Sequence, residues 1–382
     1  MNRSSPLVAL LLLSAIACRS PAPAPPAAAQ SDPRVAELRE TCEQFRRERG
    51  IVGMAVAVLD HGRVVLDESL GLADRERDLP VDSATLFRLG SISKPVTATI
   101  AMQLVDEGRL DLDAELDPAV PALAGRLPDT TLRHVLSHTA GIRHYRMDRR
   151  DNTGDFKTTT EALDLFLGDP RLFDPGTKYS YSTHGYTVAV AALEHTTSET
   201  FVDLVRRRVR DRAARTLDCE VLAEEKPQRS ALYELRGEAP AILATQREDN
   251  SWKYGGGGLE STALDLARFG EAVRTASIVS ERGRDEMWKP AALADGSEAG
   301  YGLGWRYAAD RGQIHHTGSQ QGAHAVLAIV PTEGWVIAVM TNTLGGKPQE
   351  LVPRLRELLS AALVNCRRYS RTRARSPRAQ AR

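Results

Sequence analysis

An α+β fold is predicted by three observations: a strand pair near the start of the chain, a second near its end, and a long intervening stretch with helical patterning. Ile51 to Leu59 and Arg63 to Leu70 are apolar runs separated by Asp60-His61-Gly62, a turn signal for an antiparallel hairpin. Ala323 to Val330 and Trp335 to Met340 flank Pro331-Thr332-Glu333-Gly334 in the same way, and Pro348 to Leu363 follows as an amphipathic helix. Strands from both ends then share one antiparallel sheet flanked by helices.

Between them, Leu132 to Ser137, Thr160 to Leu167, Thr187 to Glu194, Phe201 to Val209 and Ala263 to Val273 carry helical spacing. One domain over 34–365 is expected, with an α/β lobe of about 34–110 and 299–365 and a mostly helical inserted lobe of about 111–298. Two lobes around one cleft suit a chain of this length, and no internal repeat divides it further.

The ends read differently. Arg3, the acid-free apolar run Leu7 to Ala17 and then Cys18 resemble an export signal over 1–17, since eleven apolar-rich residues are too few to span a bilayer. Ala15-Ile16-Ala17-Cys18 is similar to a bacterial lipobox, in which the cysteine is lipidated; the alternative is ordinary cleavage near the Ala-rich stretch. Residues 18–33 form a Pro/Ala-rich tether, so the expected location is the periplasm or cell envelope, with membrane contact through a lipid on Cys18. Cys366 to Arg382 has seven arginines, no acid and almost nothing apolar, and 366–382 is expected to be a disordered basic tail. It is either simply solvated or drawn to an anionic membrane or polymer.

The 50 basic and 50 acidic residues cancel, which gives no reason to expect a nucleic-acid partner. Cys42, Cys219 and Cys366 have no CxxC spacing and make no disulfide scaffold; at most one pair, such as Cys42 with Cys366, is available.

The most informative stretch is Ser91-Ile92-Ser93-Lys94. Val96, Ile100 and Leu104 recur at helical spacing after Pro95, and Gly108 is a stop signal, so Ser91 sits at the mouth of an amphipathic helix. Residues three apart share a helix face, so the Lys94 amine can reach the Ser91 hydroxyl and take its proton. Alone, the pattern also describes a capping serine and a solvated lysine. Two later segments change the balance: Tyr179-Ser180-Tyr181-Ser182-Thr183 in a turn-rich loop, and His315-His316-Thr317-Gly318-Ser319 between strand-like runs. Serine and lysine, then tyrosine, then a basic residue with Thr-Gly is the order of penicillin-recognising serine enzymes.

Five segments carry a wider likeness: Leu136-Ser137-His138-Thr139-Ala140-Gly141-Ile142-Arg143-His144-Tyr145, Tyr181-Ser182-Thr183-His184-Gly185-Tyr186, Trp252-Lys253-Tyr254-Gly255-Gly256-Gly257, Tyr301-Gly302-Leu303-Gly304-Trp305 and His316-Thr317-Gly318. From about Val35 to Leu363 the chain resembles the serine beta-lactamase-like family, which includes class C beta-lactamases, D-alanyl-D-alanine peptidases and related esterases. Within it, the mitochondrial beta-lactamase-like subgroup and its bacterial relatives are most similar. The resemblance implies a beta-lactamase/transpeptidase-like fold and a serine hydrolase working through an acyl-enzyme on Ser91. It implies Lys94, Tyr181 and His316 as catalytic residues, the amides of Ser91 and Ser319 as oxyanion donors, and Thr183, Thr317 and Gly318 beside the substrate. Either a lysine kept neutral by burial or a phenol with cations near it can be the base.

Thr183 stands where relatives often carry an asparagine aimed at the substrate amide, and one hydroxyl reads less than an amide does. His316 stands where many have lysine, so affinity for carboxylates is expected to rise as pH drops through the histidine's titration. The threonine argues against a dedicated antibiotic-resistance enzyme, and the histidine is expected to lower affinity for penicillin-like carboxylates. The expected substrate is a peptide, amide or ester small molecule, with peptidase or amidase activity first and esterase activity second. A penicillin-binding-like sensor that acylates without turnover is the third reading. No cofactor is expected, and no metal: His134 and His138 are four apart on a helix, yet no third ligand accompanies them. Gly255 to Gly258 lacks the Lys-Ser/Thr of a phosphate cradle. His138 is expected to pin the following turn, and His315 and His324 to flank the cleft. Nothing in the chain specifies an oligomeric state.

Overall fold

The computed structural model describes residues 33–123, 125–146, 158–236 and 241–361. The expected export signal, Cys18, the Pro/Ala tether and the basic tail with Cys366 lie outside the described residues. Helix α1 (Pro33–Glu48) leads into the hairpin β1 (Gly53–Asp60) and β2 (Arg63–Asp74), followed by the short strands β3 (Leu79–Pro80) and β4 (Phe87–Arg88). The turn at His61 and Gly62 has φ of 48° and 79°, the positive pair that matches the twist of an antiparallel hairpin. Helix α2 (Ser93–Asp106) comes next, then α3 (Leu132–Leu136), α4 (Thr159–Leu163), α5 (Thr183–Thr197) and α6 (Phe201–Val205). Strands β5 (Asp218–Cys219), β6 (Leu232–Arg236) and β7 (Ala241–Thr245) precede the glycine turn α7 (Tyr254–Gly257), β8 (Leu259–Ser261), α8 (Ala263–Arg274) and α9 (Glu281–Trp288). The chain returns through β9 (Arg306–Ala308), β10 (Gln313–Gln320), β11 (Ala323–Val330), β12 (Trp335–Thr341) and β13 (Thr343–Leu344), and helix 351–361 follows.

The main sheet has the order β3-β2-β1-β12-β11-β10-β9, with β1 antiparallel to β12 from Met54 opposite Thr341 to Asp60 opposite Trp335. The first and last thirds of the chain thus meet at its centre, as the two hairpins predict. Because these strands are covered on both sides, their sequences read as continuous apolar runs, and alternate residues serve opposite layers. Met54, Val56, Val58, Val326, Ala328, Ile337 and Val339 pack under Leu38, Cys42 and Phe45 of α1 and under Leu351, Leu355 and Leu359. Ala55, Ala57, Leu59, Ala325, Leu327, Ile329 and Ala338 face α2 and α8 and the rest of the inserted lobe.

The structure departs from expectation in several places. The inserted stretch, expected to be mostly helical, also carries short strands: β8 pairs with both β4 and β5, and β6 with both β13 and β7. These strands are two to five residues long, too short to leave a period in the sequence. Helix α2 is not amphipathic but enclosed, buried from Ser93 through Leu104. Helix α4 ends at Leu163 after a capping box between Thr158 and Glu161, and α6 gives way to a π turn over Arg206–Arg210. Pro348–Glu350 is a single tight turn ahead of the last helix. The polar helices α1 and α9 were not foreseen. Among the described residues no helix is long and apolar enough to cross a membrane.

Candidate active site

Ser91 is presented by a braced loop. Arg88 and Glu220 form a buried bidentate pair, both contacts 2.8 Å, with side chains 1 % and 0 % exposed. The Leu89 amide donates to the Leu259 carbonyl at 2.8 Å, and the Ser93 hydroxyl donates to Gly90 O at 2.8 Å while accepting from Leu259 N at 3.1 Å. Gly90 has φ of +51°, and a Cβ there would stand 2.9 Å from the Ser319 amide nitrogen. A Cβ on Gly318 would collide with Leu89 O and come within 3.3 Å of the Ser91 nitrogen. Glycine at both positions therefore lets β10 close against the loop, which brings the Ser319 amide up to Gly90 and Gly318 up to the amide of the half-buried Ser91.

Lys94, 0 % exposed, places its Nζ 3.3 Å from Ser91 Oγ, 3.1 Å from Thr183 Oγ1 and 2.6 Å from Gly256 O. Burial, with Lys253 and Arg306 nearby, drives its pKa well below that of an ordinary lysine. A neutral amine has two hydrogens and one lone pair. The Gly256 carbonyl can only accept, and Thr183 takes the second hydrogen, which leaves the lone pair for the Ser91 hydroxyl proton.

Burial raises the pKa of Tyr181 above that of a free phenol, despite the nearby Ser91 hydroxyl and the charge of Arg306. Its ring lies 4.7 Å from Lys94 Nζ. The phenol is therefore held protonated beside the serine. His138 fixes the loop that carries it: at φ of +64°, its carbonyl accepts from Ser180 N at 2.9 Å and its Nδ1 from Ser182 N at 3.1 Å. Where the sequence led to the expectation that His138 pins the turn that follows it, these two bonds run instead to the distant segment of Ser180 and Ser182. His134 is occupied in capping α3, accepting from Thr131 N at 3.2 Å.

His316 departs most from expectation. It is 1 % exposed; its Nδ1 donates to Thr317 O at 2.7 Å, and its Nε2 accepts from the Tyr301 hydroxyl at 2.9 Å. A carbonyl cannot donate, so the tautomer follows from the geometry. Burial, then Lys94 and Arg306, hold its pKa well below the usual 6.5. It is neutral near pH 7, with neither nitrogen available to a carboxylate, so the expected pH-dependent grip on carboxylates is overturned. Thr183 likewise turns its hydroxyl to Lys94 rather than into the cleft. Thr317 is half-buried and Ser319 exposed, and Gly318 is enclosed. His315 lies on the other face of β10 from His316 by strand alternation, and His324 stands opposite Ser319 in the next strand.

Two cations stand near the serine. The Arg306 guanidinium lies 5.6 Å from the Tyr181 ring and 5.3 Å from that of Tyr301 and makes no ion pair among the described residues. The Lys253 amine lies 4.9 Å from the Trp252 ring and 5.4 Å from that of Tyr145.

The sequence profile of the Beta-lactamase family matches residues 38–361. This chain belongs to the beta-lactamase family. It is 27% identical over 418 residues to "Serine beta-lactamase-like protein LACTB, mitochondrial" of Mus musculus, covering 81% of this chain and 75% of that protein. It is 28% identical over 276 residues to "Esterase EstB" of Burkholderia gladioli, covering 63% and 70%. The fold is similar to that of the D-amino acid amidase from Ochrobactrum anthropi SV3 complexed with L-phenylalanine amide, with a TM-score of 0.74, 21% identity and coverage of 86% and 99%. The beta-lactamase-like α+β fold expected from the sequence is the one observed, and the chain is of a serine hydrolase family.

Within this beta-lactamase-family site the sequence reading named Ser91, Lys94, Tyr181, His316 and the Thr317-Gly318-Ser319 strand, and the structure brings all of them together. It missed the Gly256 carbonyl, Tyr301, Arg306, His144 and Lys253. Tyr301, His144 and Lys253 lie inside the family-like segments and were visible there as motif members. A main-chain acceptor such as Gly256 O leaves no sequence mark.

Proposed function

We infer that this protein is a peptidase or amidase acting through an acyl-enzyme on Ser91, and one observation carries the reading: the enclosed, pKa-depressed Lys94 amine 3.3 Å from the serine hydroxyl. Ser91 Oγ attacks the substrate carbonyl carbon as its proton passes to Lys94 Nζ. The developing oxyanion is met by the amides of Ser91 and Ser319. Collapse of the tetrahedral adduct breaks the carbon–nitrogen bond, and the departing nitrogen takes the phenolic proton of Tyr181, which regains one from the Lys94 ammonium. Water then attacks the acyl-enzyme as one of its protons passes to Lys94 Nζ, and Lys94 hands that proton to the departing Ser91 Oγ as the acid is released, which restores serine and the neutral amine.

A protonated phenol poised beside the serine supports amide cleavage, because an amine leaving group needs a proton and an alkoxide needs it less. Arg306 over that phenol supports a leaving half that carries a carboxylate, as the C-terminal residue of a peptide does. Esterase activity is the second reading, favoured by Thr183: with its hydroxyl committed to Lys94, this position does not read a substrate amide. Mass spectrometry after fluorophosphonate treatment, followed by turnover of matched peptide, D- and L-amino-acid amide and ester substrates, tests both readings. Label on Ser91 and amide turnover that are lost in Ser91→Ala and Lys94→Ala are the expected results. No label on Ser91 rejects the mechanism, and ester turnover alone selects the second reading.

A further inference from the structure

One wall of the cleft carries a charge that none of these steps uses. Among the described residues the Lys253 side chain has neither an ion pair nor a hydrogen bond, and its amine rests against the faces of Trp252 and Tyr145. Its stem runs beside the serine loop. A Cβ on Gly257 would lie 3.7 Å from Lys253 Cδ and 3.9 Å from the Gly90 carbonyl carbon. The missing side chain at Gly257 thus leaves open the space between that lysine and Ser91.

His144 completes the wall. The Thr183 amide donates to its Nδ1 at 3.0 Å, and burial holds the imidazole pKa at about 3, so its one proton is on Nε2. Its ring meets that of Tyr181 edge-on at 5.6 Å, and Tyr145 packs against it at 3.9 Å. An ammonium, an imidazole N–H and a phenol ring together complement a carboxylate on a short apolar stem. Arg306 covers Tyr181, the donor to the leaving group, whereas Lys253 approaches past Gly90, so the two cations serve different halves of a substrate.

We propose that Lys253, with His144 Nε2–H and the Tyr145 ring, forms a subsite that selects substrates whose acyl half bears a carboxylate, such as aspartyl or glutamyl amides. The subsite takes its place in the reaction from the serine-hydrolase reading above, but its binding is measurable without it. Lys253 has its pKa lowered to about 8 by burial and by Arg88, with Glu248 and Glu220 opposing. Of the other titratable groups on this side, His144 is neutral at pH 7, and burial, with Lys253 and Arg306 nearby, disfavours the charged form of Lys94. The selectivity is therefore present below about pH 8 and lost above it.

The test uses the full chain with Ser91→Ala, titrated calorimetrically with N-acetyl-glutamyl anilide and N-acetyl-glutaminyl anilide in both stereochemical forms. The glutamyl compound is expected to bind roughly tenfold tighter at pH 7. That ratio should vanish with added Lys253→Met, persist with Lys253→Arg, and shrink by pH 9.5. Equal affinities at pH 7, no measurable binding of the glutamyl compound, or a ratio unchanged by both Lys253→Met and high pH overturns the proposal. Should Lys253→Met fail to fold, the pH series on the native lysine decides. Since no nucleophile takes part, this result is independent of fluorophosphonate labelling, which tests Ser91 itself.

Discussion

His316 Nε2 accepts a 2.9 Å hydrogen bond from the Tyr301 hydroxyl, and this bond turns a residue placed to be a cation into a neutral structural link between β10 and the strand turn before β9. His316→Lys would bury a new ammonium near Lys94 and Arg306 and strand the Tyr301 hydroxyl. A loss of about 3 kcal/mol or more in stability is expected, as is typical of an uncompensated buried charge. The wild-type kcat/KM profile should show no inflection from this group between pH 5 and 8. Stability behaves differently: His138, His144 and His316 all have depressed folded-state pKa values, so below about 6.5 the unfolded chain takes up protons that the fold refuses. Thermal melting should therefore fall as pH drops from 7.5 to 5. A full-activity His316→Lys protein with unchanged melting contradicts this account.

Lys94→Met is expected to abolish turnover while raising stability by about 1–4 kcal/mol at pH 7, because a fully enclosed amine is replaced by an apolar chain of similar length. The sign follows from linkage. The folded-state pKa is lowered, so the unfolded chain binds a proton below about 10.5 that the native state resists, and the penalty fades as pH rises toward that value. Denaturant titrations at pH 7 and 10 should show the advantage of the variant shrinking. An advantage that grows with pH contradicts the neutral amine.

Gly256→Ala tests the carbonyl that orients Lys94. Its Cβ would meet Thr183 Cγ2 at 2.6 Å and Thr183 O at 3.0 Å, so the turn must move, and the 2.6 Å bond to Lys94 Nζ with it. A fall of about 10²-fold in fluorophosphonate labelling rate is expected from a displacement of this kind. An unaltered rate shows that the carbonyl does not set the amine.

Glu220→Ala should cost about 3–5 kcal/mol by chemical denaturation, because Arg88 and Arg247 lose their buried partner and Asn250 its 2.8 Å acceptor. The network ties the loop before Ser91 to the segment before Lys253. Labelling at Ser91 should weaken along with the loss of stability. Native-like stability in this variant contradicts the assigned brace.

The hairpins around Gly62 and Gly334 were legible because both turn chemistry and apolar runs mark them, and the Ser91-Lys94 pair because helical spacing fixes which side chains share a face. The reach of Tyr181 and His316 to that pair could be named only by likeness, since it depends on Gly318 and Gly90 letting strand and loop touch. The state of His316 was not legible at all. Its charge is set by enclosure and by a tyrosine fifteen positions away in the chain, neither of which a residue type reveals. Helix α2 misled for a related reason: two threonines that look solvent-facing turn back to main-chain carbonyls, Thr97 to Gly255 O at 2.8 Å and Thr99 to Pro95 O at 2.8 Å.

The pairing of β1 with β12 bears on how the molecule comes into being. A growing polypeptide releases Ser91 and Lys94 from the ribosome early, yet the strand that must lean on them and the one that must flank the first hairpin are made almost last. Until synthesis has passed Thr341, the opening hairpin has an unsatisfied edge and the nucleophile has no enclosure. If Ser91 acts as proposed, a truncated product is therefore inert, and the newborn chain carries that serine unarmed until the whole sheet can shut.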